Sequence, residues 1–194
     1  GRRRLGFDNS SLVATYTYNA FGQRTRKVTA SDTTIYHYDL NGQLIEESLT
    51  SGLQQVAYVW RGNTPTSLIY APGTPSNGGT DEKDIFLHTD YLDTPRRATD
   101  EAAAAVWSWG SDAVGESLAN MDPGSTGNDT IIDLRFPGQI FDIENRVHLN
   151  YFRYYNPKTG RYLRNDPIGL MGGLSSYLYS YGNAVTFYDG NGLE

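Results

Sequence analysis

Cysteine is absent from these 194 residues. Disulfide staples, thiolate catalysis and cysteine-based zinc sites are therefore excluded. Histidine is scarce: His37, His88 and His148 stand far apart, without the H-E-x-x-H spacing of a zinc helix. No metal and no cofactor are expected. No apolar run approaches the length of a membrane span, and no signal peptide is visible. An excess of positive charge is missing too. The net charge of −6 argues against bulk nucleic-acid binding. Basic residues nonetheless crowd the start, where Arg2, Arg3, Arg4, Arg24, Arg26 and Lys27 face Asp8 alone within residues 1–27. We expect a solvated end there, with a basic arm for an acidic partner as the alternative. The first residue is Gly1 rather than Met, so a fragment or processed piece is expected.

Aromatics are abundant: 15 Tyr, 7 Phe and 3 Trp, alongside 21 Gly and only 2 Met. Tyrosine and glycine without long helix formers predict β-structure. The pattern is also repeated. Tyr16-Thr17-Tyr18-Asn19-Ala20-Phe21-Gly22-Gln23 returns as Tyr36-His37-Tyr38-Asp39-Leu40-Asn41-Gly42-Gln43. Each copy reads as strand, turn, strand. The paired tyrosines share one face of the pleat, Asn or Asp opens the turn, and glycine takes its positive-φ position. A looser third unit starts at Tyr58-Val59-Trp60-Arg61-Gly62-Asn63, and residues 71–80 form a loop.

Ile85-Phe86-Leu87-His88 restarts a strand. Glu101-Ala102-Ala103-Ala104-Ala105 reads as a helical turn or a hairpin tip, before the alternating Val106-Trp107-Ser108-Trp109. Residues 110–130 are loop-like. Val147, Leu149 and Tyr151 alternate with His148, Asn150 and Phe152, which predicts His148 on the less buried face. Tyr154-Tyr155-Asn156-Pro157-Lys158-Thr159-Gly160-Arg161 repeats the turn theme, and Tyr162-Leu163 continues as a strand. Residues 174–181 fit both periods: Tyr177, Tyr179 and Tyr181 alternate, while Leu174, Tyr177, Leu178 and Tyr181 follow helical spacing. A short helix is the preferred reading, with Ser175 or Ser176 as its cap and Gly182-Asn183 as its stop.

These tandem units resemble the YD repeats of RHS and teneurin-like proteins. "HTDYLDTPRR" (residues 88–97) looks like the H-T-D-H-L-G-T-P-R-R stretch near the end of RHS repeat regions. "RFPGQIFDIENRVHLNYFRYYNPKTGRYLRNDPIGL" (135–170) resembles the RHS repeat-associated core. The resemblance implies an all-β fold: a YD-repeat hairpin meander or spiral, as in toxin-complex C-component shells, ending in an inward-turning core plug. We divide the chain into YD repeats (1–70), continued β-meander with long loops (71–130) and the RHS core (131–194).

The resemblance also implies function. Such bacterial shells enclose a C-terminal toxin, are exported or cell-surface proteins, and release the toxin by cutting the chain after the second D-P-x-G-L motif. Here Asp166-Pro167-Ile168-Gly169-Leu170 is echoed by Asp189-Gly190-Asn191-Gly192-Leu193. Carried over, Asp166, Asp189 and Arg153 make an aspartic-protease-like site, and Leu193–Glu194 is the scissile bond. The implied partners are the toxin segment and the rest of the shell. Three departures from the pattern stand out: Asn156 for Asp, Ala184-Val185 for Asn-Pro, and Gly190 for the second motif's Pro. Asp-Gly is looser than Asp-Pro, which loosens the expected placement of Asp189.

Two close carboxylates can divide acid and base roles in peptide hydrolysis. From spacing alone, however, D-x-x-G is a β-turn, with Asp accepting a backbone bond and Gly closing the turn. Both readings can hold together. Arg161 and Arg164 stand nearer Asp166 in sequence and compete with Arg153 as its partner. For the two aspartates to meet, the intervening segment must fold back, with Gly172-Gly173 and Gly182-Asn183 as its breaks. The alternative function is a non-enzymatic structural module, or a carbohydrate- or cell-surface-binding one, since exposed tyrosine rows can stack on sugars.

Overall fold

The computed structural model describes residues 2–8, 11–169 and 175–193. Leu170, Gly172-Gly173, Leu174 and Glu194 lie outside the described residues. Ten strands form one antiparallel meander in chain order: β1 (Arg2–Asp8), β2 (Ser11–Tyr18), β3 (Arg24–Val28), β4 (Thr33–Tyr38), β5 (Leu44–Leu49), β6 (Gln54–Arg61), β7 (Thr64–Tyr70), β8 (Lys83–Thr89), β9 (Pro95–Thr99) and β10 (Ala105–Ser108). A second antiparallel sheet follows, again in chain order: β11 (Gln139–Asp142), β12 (Val147–Asn150), β13 (Arg153–Asn156) and β14 (Arg161–Tyr162). No α-helix occurs among the described residues, and no helix there is long and apolar enough to cross a membrane.

The repeat unit builds the meander through its turn. Asn19 Oδ1 accepts the N–H groups of Phe21 and Gln23, and Asp39 Oδ1 those of Asn41 and Gln43. Asp90 does the same for Leu92 and Thr94 in the next such turn. Gly22 has φ +86°, and a Cβ there would lie 2.9 Å from the Phe152 ring. The glycine thus serves the turn and also lets the second sheet approach.

One face of the meander is apolar. Tyr36, Tyr58, Leu68, Tyr70 and Ile85 pack in one core with Trp107, Trp109, Phe136, Tyr155, Tyr162 and Tyr179. The second sheet therefore lies over the meander's inner face. The tip between β9 and β10 is a hairpin turn, closed by Asp100 and Ala104, so the short alanine run does not form a helical turn. The 110–130 loop is tied down where Trp109 Nε1 donates to the Ser117 carbonyl and the Tyr155 hydroxyl to that of Val114.

Three expectations are corrected. His148 is buried at 1% exposure. The meander covers the second face of β12, so alternation does not mark a solvent side. His148 Nδ1 pairs with Gln139 Oε1 at 2.6 Å, and burial, reinforced by Arg135, pushes its pKa down to about 3. Second, Arg24 and Lys27 are no solvated arm. Arg24 is fully buried against Asp142 at 2.5 Å, and Lys27 pairs with Glu144 at 3.0 Å. Third, 175–181 is not a helix. Leu178 bridges Arg161 in β-fashion, and a single 3-10 turn covers Ser180–Gly182. Aromatic packing decides: Tyr179 stacks on Phe136 and meets Tyr155 and Tyr162.

Candidate active site

The site grows from the hairpin joining β12 to β13. Its turn, Tyr151-Phe152, carries Tyr151 at φ 46° and pairs Asn150 with Arg153. The second D-x-x-G loop lies across this turn. Phe152 N–H donates to the Asn191 carbonyl at 3.2 Å, and Asn150 Nδ2 donates to the Asp189 carbonyl at 2.7 Å. The approach requires Gly192: a Cβ there would sit 2.5 Å from the Asn150 carbonyl oxygen.

Arg153 is the hub, 1% exposed at the start of β13. Its Nη2 reaches Asp166 Oδ2 at 2.8 Å and Asp189 Oδ2 at 3.1 Å. Its Nε donates to the Gly192 carbonyl at 2.5 Å, and its Nη1 to that of Ser176 at 3.2 Å. Its guanidinium carbon stands 3.6 Å from the centroid of the Tyr162 ring. The chain thus folds back and brings Arg153, Asp166 and Asp189 together, with both carboxylates on one nitrogen. A guanidinium shared by two carboxylates is an alternative to a proton shared between them. Arg161 and Arg164 lie exposed, and Arg164 donates to the Phe152 carbonyl instead.

The two motif copies are both turns. Asp166 begins Asp166-Pro167-Ile168-Gly169. Gly169 N–H returns to its carbonyl at 3.0 Å, and Ile168 N–H to its Oδ1 at 2.9 Å. Asp166 N–H also donates to the Ser176 carbonyl, the same oxygen that Arg153 Nη1 uses. Asp189 is more fully engaged. Its Oδ1 accepts the N–H groups of Asn191, Gly192 and Leu193. Its Oδ2 accepts the Tyr162 hydroxyl at 2.7 Å as well as Arg153. Burial, then the charge of Asp189, pushes the Tyr162 hydroxyl well above the usual tyrosine range. Leu193 is half-buried at the end of the loop. Gly190 needs no special backbone, and a Cβ there would meet nothing closer than Tyr188 at 3.5 Å.

Asn150 and Tyr162 escape the sequence reading. Only their contacts with Asp189, 39 and 27 residues away, reveal them. A cavity of about 480 Å³ opens beside Gly190 and Asn191, between the meander's turns and the second sheet. Among the described residues, no group of three or more His, Cys, Asp or Glu is placed to hold a metal ion. The repeat tyrosines Tyr16, Tyr36 and Tyr58 are buried, so they offer no exposed stacking platform.

No family model matches the chain. By sequence it is 36% identical over 108 residues to the toxin protein Tse5 of Pseudomonas aeruginosa, covering 56% of this chain and 8% of that protein. It is 30% identical over 198 residues to double-stranded DNA deaminase toxin A of Burkholderia cenocepacia, covering 98% of this chain and 14% of that protein. The probable deoxyribonuclease RhsA of Dickeya dadantii is 27% identical over 184 residues, with 82% of this chain and 12% of that protein covered. The chain therefore spans only a small part of these relatives. By fold it is similar to a chain in a crystal structure of TcdB2-TccC3-TEV, with TM-score 0.71, 18% identity and coverage of 98% of this chain and 10% of that one. A structure of the Photorhabdus luminescens Tc holotoxin pore gives TM-score 0.69 at 17% identity, covering 98% of this chain and 10% of that one. The all-β fold is thus similar to that of these Tc toxin structures, and homology to these toxins and Rhs proteins supports an RHS-family protein.

Proposed function

We propose that this chain is the C-terminal part of an RHS shell and cuts itself after Leu193, releasing a toxin segment carried beyond it. The observation that carries this reading is how the motif loop sits in the site. Arg153 Nε holds the Gly192 carbonyl and Asp189 Oδ1 holds the Leu193 N–H. The peptide just before the Leu193–Glu194 bond is thereby clamped at both ends, beside two carboxylates. The names of the relatives, two toxins and a deoxyribonuclease, point to the class of the released segment. Export of the assembled shell and association with its remaining repeats belong to the same proposal.

The carboxylates divide the work by their free capacity. A carboxylate offers about four lone-pair sites. Asp189 already meets five donors, whereas Asp166 meets Ile168 N–H and Arg153. Asp166 is therefore the base: it takes a proton from water as the oxygen adds to the Leu193 carbonyl carbon. The C–N bond then breaks, and the proton passes to the leaving amine of residue 194. Arg153 and Asp189 hold the loop in place while this happens.

The test is a fusion with a reporter after Glu194, followed by gel and intact mass. The parent should split after Leu193. Asp166→Asn and Asp189→Asn should each slow the cut by about a hundredfold or more. A folded parent that stays whole sinks the proposal. That outcome would favour a second reading, a purely structural module. The three N–H groups on Asp189 Oδ1 favour it, because they are what a turn-capping aspartate gathers.

A further inference from the structure

We propose that Asn150 is a positioning residue of this site, setting Asp189 directly through its backbone and indirectly through Tyr162. This rests on the cleavage reading above and adds the side chain that holds Asp189 in place. Asn150 is 0% exposed at the end of β12. Its Nδ2 has two acceptors, the Asp189 carbonyl and the Tyr162 hydroxyl, both at 2.7 Å. That fixes the direction of the hydroxyl. With its oxygen receiving from Asn150, Tyr162 turns its proton to Asp189 Oδ2, also at 2.7 Å. One amide therefore pins the main chain of Asp189 and one of its carboxylate oxygens. The other oxygen is thereby turned to the N–H groups of Gly192 and Leu193.

Two further observations mark the position. Asn150 Oδ1 is buried without a hydrogen-bond partner. Leaving a buried acceptor unmet is unfavourable, and the position bears that cost while its Nδ2 makes both donations. The space is also fully used. A Cβ on Gly138 would lie 2.9 Å from Asn150 Oδ1 and 2.0 Å from the Gly190 carbonyl. With Gly190 in place of proline, the loop lacks proline's fixed φ, and Asn150 supplies the missing restraint from outside the loop.

The reporter fusion tests this with Asn150→Asp, which exchanges the donor for an acceptor, and Tyr162→Phe, which removes only the hydroxyl. Each should slow the cut by about tenfold. Amide exchange at Gly192 and Leu193 should quicken while the β6 and β7 amides keep their protection. A merely structural role would lower the melting temperature and quicken exchange in β6 and β7 as well. If Asn150→Asp does not fold, Tyr162→Phe decides alone. A parent that never cuts overturns the cleavage reading, and the exchange measurement still decides the positioning. Unchanged exchange in Tyr162→Phe overturns the positioning whatever the cleavage does. An unchanged rate in a parent that cuts overturns it as well.

Discussion

Gly138 and Gly190 face each other across the motif loop, yet they tolerate substitution differently. A methyl on Gly138 would collide with the Gly190 carbonyl at 2.0 Å, and Gly138 has φ +81°. A methyl on Gly190 has room. Gly190→Ala should therefore be neutral or raise stability by up to about 1 kcal/mol, through the unfolded chain. Gly138→Ala should lower it by more than about 1 kcal/mol and loosen the loop. Urea unfolding of both variants checks the pair, and equal effects would contradict the packing described. From the sequence, Gly190 looked like the weak point of the motif. The hydrogen bonds of Asn150 and Arg153 show why the loop is nonetheless held, and neither could be read from local chain chemistry.

At the scale of elements, the two sheets are joined by charge as well as by rings. Arg24 on β3 meets Asp142 on β11 with both side chains at 0% exposure. Tyr154 adds a hydroxyl at 3.1 Å, and the Tyr16 ring lies 4.4 Å from the guanidinium carbon. Removing one partner leaves an uncompensated buried charge. Asp142→Asn should cost about 3–5 kcal/mol, and Arg24→Met with Asp142→Leu much less than that. Chemical unfolding of the single and double variants measures the difference. The strands and turns of the meander were legible in the sequence because the Tyr-x-Tyr-[Asn/Asp]-x-x-Gly unit carries its own turn chemistry. The buried His148, the Arg24 pair and the irregular 175–181 segment were not. Each follows from the second sheet lying on the first, and short-range periodicity does not encode that packing.

For the whole molecule, the space between the sheets makes stability depend on pH. The Tyr58 hydroxyl donates to Glu47 at 2.6 Å. Burial, then the charge of Asp133, lifts the Glu47 carboxyl to about 7. Lys27 and Arg24 also face it and act in the opposite direction. Because the folded value lies above the unfolded one, the stability this group gives is complete below about pH 4.5 and is lost as pH rises through about 7. Glu47→Gln should flatten the fall in melting temperature between about pH 5 and pH 8, and an unchanged slope would remove Glu47 from the account. Arg153, Asp166 and Asp189 could be named from the motif and the family resemblance. Their common nitrogen could not, because it depends on both ends of a fold-back that no local pattern specifies. The motif loop seated on the β12–β13 turn has one more consequence. Under the cleavage proposed above, the bond would be reached only through a hairpin of the second sheet. Severance would then be a signal of maturity: an unfinished chain would keep its cargo tethered, and a finished one would let it go once.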